Sequence, residues 1–156
     1  MRLDYINPIV ESAVNVLSEF TGAPAERGSM ELHGDASPKK DVAAVIGMAG
    51  EVEGRIILEM SKDTALSVAG ALNGEKFSEL TPYALDTVME LTNVMVARAV
   101  STLNDRGFTF RLTPPLIFTG QNLCFSSGLN IETLVIPLRA NVGEMNLNVA
   151  LRMNIL

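Results

Sequence analysis

Residues 41–60 read DVAAVIGMAGEVEGRIILEM, and this stretch indicates the fold class most clearly. Two apolar-rich runs, Val42–Met48 and Val52–Met60, are separated by a short segment that contains Gly50-Glu51. Apolar runs of this length, bounded by turn residues, are typical of β-strands, and a tight connection containing glycine is typical of a hairpin. We therefore predict an antiparallel β-hairpin over residues 42–60.

Two helices are predicted downstream of this hairpin. Ser61 can cap a short helix that ends before Asn73-Gly74, a pair typical of helix C-termini. Thr81-Pro82 can begin a longer helix, because threonine is a good N-cap and proline is favoured at the first helical position. The helical spacing of apolar residues continues to about Asn104.

The flanking segments complete the fold class. Apolar residues at spacings of three and four predict a helix over residues 5–21, and a short strand is expected at 30–32. The predicted C-terminal strands are 108–112, 116–120, 122–126, 132–139 and 144–153. This order predicts an α+β fold: a largely antiparallel sheet with helices packed on it, in which two strand blocks flank the central helices. At 156 residues the chain is expected to form a single domain, residues 1–156.

The composition argues against several classes of function. The formal net charge is −6, and Lys39-Lys40 is the only pair of adjacent basic residues, so we expect no nucleic acid and no anionic membrane surface as a partner. The longest apolar stretch, residues 42–50, is about half the length of a membrane-spanning helix, and the N-terminus lacks a secretory pattern. Cys124 is the only cysteine, which is typical of a reducing compartment. We therefore expect a cytoplasmic protein.

One face of the long predicted helix carries polar side chains. At about 100° per residue, Asp86, Glu90, Asn93 and Ala97 fall in one narrow stripe. The apolar residues that are expected to face roughly the opposite way are Leu85, Met89, Val96, Ala99, Val100 and Leu103. We therefore expect Glu90 and Asn93 to project outward together, beside a short Ala97 that lets a partner surface approach closely.

The remaining side chains form no familiar catalytic or metal-binding set. His33 is the only histidine, so neither a Ser-His-Asp triad nor an ordinary zinc site is expected. The glycines lack the spacing of a phosphate-binding loop. Cys124 falls in a predicted strand and is expected to be a small core residue, because no basic neighbour in the sequence would activate it.

Glu90 and Asn93 together suit the hydrolysis of a phosphate that is held by a partner. A carboxylate can bind a cationic side chain, and a carboxamide can hold a water molecule in a defined direction, since it both donates and accepts. Positioning and electrostatics dominate phosphoryl transfer, so an oriented water is most of what hydrolysis of an acyl phosphate requires. Glu and Asn three residues apart are also common on solvated helix faces, and Asp86 can be a first-turn acid that interacts with the helix dipole. The spacing alone leaves both interpretations open.

A larger set of residues resembles one protein family. Asp86-x3-Glu90-x2-Asn93, followed by Pro114-Pro115 at a strand entrance, resembles the signature of the CheC/CheX/FliY phosphatases of bacterial chemotaxis. Segments 5–8, 45–54 and 135–138 are similar to CheX in kind and order, so the likeness extends over nearly the whole chain. A single copy of the Glu/Asn motif is also similar to CheX, whereas CheC typically carries two. By resemblance, the chain is a CheX-like member of this family.

The resemblance implies a function and assigns residues to it. It implies a phosphatase that hydrolyses the aspartyl phosphate on a response-regulator receiver domain such as CheY. Glu90 would pair with the receiver's active-site lysine and Asn93 would orient the attacking water, so these two are the expected catalytic residues; Asp86 and Ala97 are expected to bind the partner. No cofactor of its own is expected, since the receiver would supply Mg²⁺. The family also implies a homodimer joined through its sheets.

A non-catalytic dimeric adaptor that binds a receiver domain is the alternative function. The presence of both Glu90 and Asn93 favours the phosphatase. The chain departs from the family at Ala97, where CheX-type helices often carry a glycine, and its loop at 28–40 has no clear counterpart. Either difference can alter which receiver is accepted.

Overall fold

The protein is described by a computed structural model that covers residues 3–34, 38, 40–124 and 131–154. In chain order its elements are α1 (Leu3–Thr21), β1 (Glu26–Arg27), β2 (Glu31–His33), β3 (Val42–Gly50), β4 (Val52–Met60), α2 (Lys62–Asn73), α3 (Pro82–Asp105), β5 (Phe110–Leu112), β6 (Leu116–Thr119), β7 (Thr133–Ala140) and β8 (Gly143–Met153). Within these residues the strands form one antiparallel sheet with the order β1-β7-β8-β4-β3-β5, in which β2 also pairs with β7 and β6 with β3. The predicted α+β class is confirmed.

The predicted hairpin lies at the centre of this sheet. Strand β3 pairs with β4 from Val42 opposite Met60 to Met48 opposite Gly54. Strand β4 also pairs along its whole length with β8, from Val52 opposite Met153 to Met60 opposite Met145. This second pairing joins the strands that precede the central helices to those that follow them. The two strand blocks predicted from the sequence are therefore parts of a single sheet.

The helices bury their apolar sides against one face of the sheet. Alternate residues of the central strands, such as Ile56, Leu58 and Val149, are fully buried in the same cluster as Leu91 and Met95 of α3. Burying one such side chain contributes about 1.5–3 kcal/mol to stability. Because α3 places a whole stripe of these residues in the core, its position on the sheet is strongly determined.

The segment after β6 differs from the sequence prediction. Residues 122–124 form no strand, and residues 125–126 of the predicted strand lie outside the described part of the chain. Asn122 has a φ of 57°, a left-handed conformation that a continuing strand does not adopt. Cys124 is exposed, so its expected place in the core is also wrong. Strand β1, by contrast, was not predicted, because two exposed polar residues carry no strand pattern.

The N-terminal helix begins earlier than expected. It starts at Leu3, so Pro8 lies beyond the first turn, and its ring nitrogen cannot donate the hydrogen bond that an interior residue would make four residues back. Pro8 is buried, as are Ile9 and Ala13 on the same side of the helix. Burial of this side against the core therefore maintains the helix despite the missing hydrogen bond.

At Gly54 the backbones of β4 and β8 lie too close together for a side chain to fit. Its φ is +140°, and a Cβ atom there would overlap the carbonyl oxygen of Ala150. We expect Gly54→Ala to lower the free energy of unfolding by roughly 2–4 kcal/mol, because the backbone would be strained and the strands forced apart. Urea denaturation followed by circular dichroism measures this change.

The matched control is Gly34→Ala. A Cβ at Gly34 would meet no atom within 4 Å, and the backbone there is not left-handed. We expect this variant to unfold at nearly the wild-type urea concentration. Equal stability of the Gly54 and Gly34 variants would show that β4 and β8 are not packed as described.

Candidate active site

Helix α3 begins as the sequence predicts. The hydroxyl oxygen of Thr81 accepts a hydrogen bond of 3.1 Å from the backbone N–H of Ala84, and Pro82 occupies the first turn. The helix then continues without interruption for 24 residues. Glu90 and Asn93 therefore lie on the interior turns of a rigid element and away from its ends, where fraying is greatest.

The structure brings the four predicted site residues to one outward face of α3. Asp86, Glu90 and Ala97 are exposed, and Asn93 is half-buried. Residues three and four apart on a helix are neighbours, with Cβ atoms about 5–6 Å apart. Within the described chain, neither Glu90 nor Asn93 has a side-chain hydrogen bond or an ion pair. Both groups are therefore available to another molecule.

The buried side of α3 is rotated from the one that the apolar pattern predicts. Leu85 and Met89 are only half-buried, whereas Ala84, Val88 and Met95 are fully buried. At about 100° per residue, this is a rotation of roughly 60° around the helix axis. Its cause is that α3 packs against α1 and α2 as well as the sheet. The rotation places the core more nearly opposite Glu90 and Asn93.

Contacts with α1 hold α3 within about two turns C-terminal of Asn93, at Met95 and Arg98. The hydroxyl of Ser12 donates a 2.6 Å hydrogen bond to the carbonyl oxygen of Met95. The guanidinium of Arg98 donates two hydrogen bonds to the carboxylate of Glu19, at 2.6 and 3.2 Å. These hydrogen bonds, and then the positive charge of Arg98, hold the pKa of Glu19 below its ordinary value; the same hydrogen bonds raise the pKa of Arg98. Both side chains are exposed, so solvent weakens the pair.

A groove of about 550 Å³ lies beside Glu90, between α3 and the C-terminal end of α2. Its lining also includes Asp86, Tyr83 and Thr87 of α3 and Asn73 of α2. The sequence pattern does not predict this groove. Tyr83 and Thr87 could have been found from their helical spacing to Glu90, but Asn73 is brought there only by the packing of two helices.

Neither a metal cluster nor a membrane span is found in the residues that the structure describes. No three His, Cys, Asp or Glu side chains among them converge in a way that could hold a metal ion. Every helix in that part of the chain falls short of the length or the apolar content that spanning a bilayer requires.

Comparison with known protein families assigns the chain to one of them. The model of the family described as "Chemotaxis phosphatase CheX" matches residues 42–139, which extend from β3 into β7 and include the whole of α3. The chain belongs to the CheX family. The family predicted from the resemblance of the Asp86, Glu90 and Asn93 motif and of three further segments is thereby confirmed.

Individual CheX relatives match most of the chain. The CheY-P phosphatase CheX of Thermotoga maritima is 26% identical over 123 residues, which cover 78% of this chain and 79% of that protein. In the crystal structure of the CheX-CheY-BeF3-Mg²⁺ complex from Borrelia burgdorferi, the matching chain is 33% identical with a TM-score of 0.83, over 97% of this chain and 99% of that one. The chemotaxis protein CheX of Desulfovibrio desulfuricans is 26% identical with a TM-score of 0.84, over 97% and 100%. These similarities support the predicted enzyme class, a protein phosphatase.

The Glu19–Arg98 pair makes the stability of this CheX-family chain depend on pH. Because the pKa of Glu19 is lowered in the folded state, the stabilisation is complete above the unfolded pKa of about 4.3 and is lost as the pH falls through the folded value. We expect Glu19→Gln to be less stable than wild type at neutral pH and equally stable once the carboxyl is protonated. Thermal unfolding from about pH 7 to about pH 3 measures the difference.

The control for this prediction is Glu11→Gln. Glu11 is exposed on the same helix and has no ion-pair partner among the described residues. Its substitution should not reproduce the loss of stability that Glu19→Gln shows at neutral pH, because it removes no ion pair. A pH-independent difference for Glu19→Gln would mean that the ion pair with Arg98 does not form in solution.

Proposed function

We propose that this chain hydrolyses the aspartyl phosphate of a CheY-like response-regulator receiver domain. The observation that carries the proposal is the outward, unpaired presentation of Glu90 and Asn93 on the interior turns of α3. A relative of the chain is named a CheY-P phosphatase, and another belongs to a complex with CheY, BeF3 and Mg²⁺. Both observations favour a phosphorylated receiver as the substrate.

Glu90 and Asn93 have separate roles in the proposed reaction. The carboxylate of Glu90 pairs with the active-site lysine of the receiver and aligns the two proteins. The amide of Asn93 holds a water molecule in line with the phosphorus atom. The water oxygen forms a bond to phosphorus as the bond to the aspartyl oxygen breaks, which releases inorganic phosphate and restores the aspartate. Ala97 and Asp86 contact the receiver beside this pair.

The receiver supplies the metal ion in this proposal. Mg²⁺ neutralises charge on the phosphoryl oxygens during transfer, and the Borrelia burgdorferi complex contains Mg²⁺ together with CheY and BeF3. The chain itself needs no cofactor, because its part is to position a water and a lysine. The proposal also implies that the chain acts in the cytoplasm, where two-component receivers act.

Asn93→Ala should nearly abolish the acceleration of dephosphorylation. Loss of a positioned polar group at the reacting atoms lowers the rate by about 10²-fold or more. The measurement is the decay of phosphoreceiver with and without the variant, for each receiver of the same genome. Asn104→Ala is the matched control, since Asn104 is an exposed asparagine on the same helix about 16 Å further along its axis.

Glu90→Lys should mainly weaken docking, because it replaces an attraction to the receiver's lysine by repulsion. Wild-type rates for the Asn93 and Glu90 variants would disprove the proposed mechanism. Binding of a receiver by the wild-type chain without any shortening of its phosphate lifetime would instead identify the chain as an adaptor.

We further propose that residues 1–156 form one domain and that two copies associate through sheet edges. One continuous core cluster across the described residues supports the single domain. Strand β6 supports the proposed edge: among the described strands it pairs only with β3, and its Leu116 is 60% exposed. An edge strand that exposes an apolar side chain favours association with a second copy.

Leu116→Asp should therefore shift the protein from dimer to monomer in sedimentation equilibrium, because a buried carboxylate at the joint would be unpaired. Leu32→Asp is the matched control, since Leu32 is 56% exposed and lies at the opposite end of the sheet. A Leu116→Asp variant that remains dimeric would exclude β6 as the joint.

A further inference from the structure

The groove beside Glu90 is open to solvent and amphipathic. Leu72 and Phe20 supply apolar surface from α2 and α1, while Asp86 and Glu90 supply carboxylates from α3. Its volume of about 550 Å³ falls within the range of about 300–1,000 Å³ that is usual for ligand pockets. It therefore has room for a long side chain together with its hydration water.

One wall of the groove is fixed by a chain of hydrogen bonds between α2 and α3. The amide nitrogen of Asn73 donates to the hydroxyl of Thr87 at 2.7 Å and to the carbonyl of Ala69 at 2.9 Å. The hydroxyl of Tyr83 donates to the amide oxygen of Asn73 at 3.0 Å, and the Tyr83 ring packs on Phe77 with centroids 5.7 Å apart. The groove is thus held open before any partner arrives, so little ordering free energy opposes binding.

The charged residues that line the groove are all acidic. Asp86 and Glu90 lie four residues apart on α3, where like charges repel. Neither carboxylate has an ion-pair partner among the described residues, and no basic residue belongs to the groove lining. An incoming cation would relieve this repulsion. The apolar surface of Leu72 and Phe20 suits a side chain that carries its positive charge at the end of a hydrocarbon chain.

We propose that the groove binds a long basic side chain, arginine or lysine, of the receiver domain, in addition to the lysine that pairs with Glu90. Its stem lies along Leu72 and Phe20, and its charged end lies beside Asp86. This inference rests on the proposed function and deepens it. The groove selects among receivers by requiring a second basic residue next to the phosphorylation site, while Asn93 performs the chemistry.

Two substitutions test the groove without touching Asn93. Ala71 lines the groove and is exposed, so Ala71→Trp fills the space while leaving the fold and the charge intact. Asp86→Asn removes the charge while keeping the shape. Ser67→Trp is the matched control, because Ser67 is exposed one turn earlier on α2 and does not line this groove.

We expect Ala71→Trp to raise KM for phosphoreceiver about tenfold, the size of a moderate interface hot spot, with kcat unchanged. Asp86→Asn should raise KM about threefold, as expected for one solvent-accessible charge pair. It should also weaken the salt dependence of KM, because screening acts on that charge. Ser67→Trp should behave as wild type.

These outcomes distinguish failure of the groove inference from failure of the proposed function. If wild type accelerates dephosphorylation and Ala71→Trp has the wild-type KM, the groove is not occupied and this inference fails alone. If Ala71→Trp raises KM but Asp86→Asn changes neither KM nor its salt dependence, the occupant is apolar and the basic side chain is excluded. If wild type accelerates no receiver, the proposed function and the groove's role fail together.

Discussion

The pairing of β4 with β8 is the constraint on which the rest of this structure depends. It joins a hairpin that precedes the central helices to strands that follow them, along the whole length from Val52 to Met60. Only a glycine at position 54 lets the two backbones approach as they do. Once these strands are adjacent, their buried side chains form one continuous apolar surface, and α3 has a single favourable place to bind.

The same constraint explains why a helix carries the proposed catalytic pair. Functional groups are over-represented on loops, which are more mobile than helices. Here Glu90 and Asn93 lie on interior turns of a helix whose opposite side is buried, and hydrogen bonds at Met95 and Arg98 link that helix to α1 just C-terminal of Asn93. A rigid support suits a reaction in which the protein contributes little covalent chemistry and must place one water molecule with accuracy.

The residue proposed to orient the water and the groove proposed to select receivers lie apart on this surface. Asn93 lies about two turns along the outward stripe of α3 from Asp86, which lies beside the groove. In a family whose members share the fold at sequence identities of 26–33%, such an arrangement would let the groove residues other than Glu90 vary while the Glu/Asn pair stays unchanged. The choice of receiver can thus change without loss of the proposed hydrolysis.

What the sequence by itself determined is local. The cap at Thr81, the proline at 82 and the stripe of Asp86, Glu90, Asn93 and Ala97 all depend on residues within a few positions of one another. Helical periodicity therefore predicted the stripe, and residue preferences at helix starts predicted the beginning of α3. Two apolar runs around a glycine turn predicted the hairpin of β3 and β4 in the same local way. The larger likeness to a family implied the chemistry that we propose for this stripe.

Only the tertiary structure decided the features that join distant parts of the chain. The pattern of residues 52–60 predicts a strand but does not indicate that β8 is its neighbour. Val88 is buried in place of Met89 because α1, α2 and the sheet together surround α3. The groove depends on Phe20, Asn73 and Tyr83, which lie far apart in sequence or on different helices. Such contacts arise from the free energy of packing whole elements together, which a local pattern does not encode.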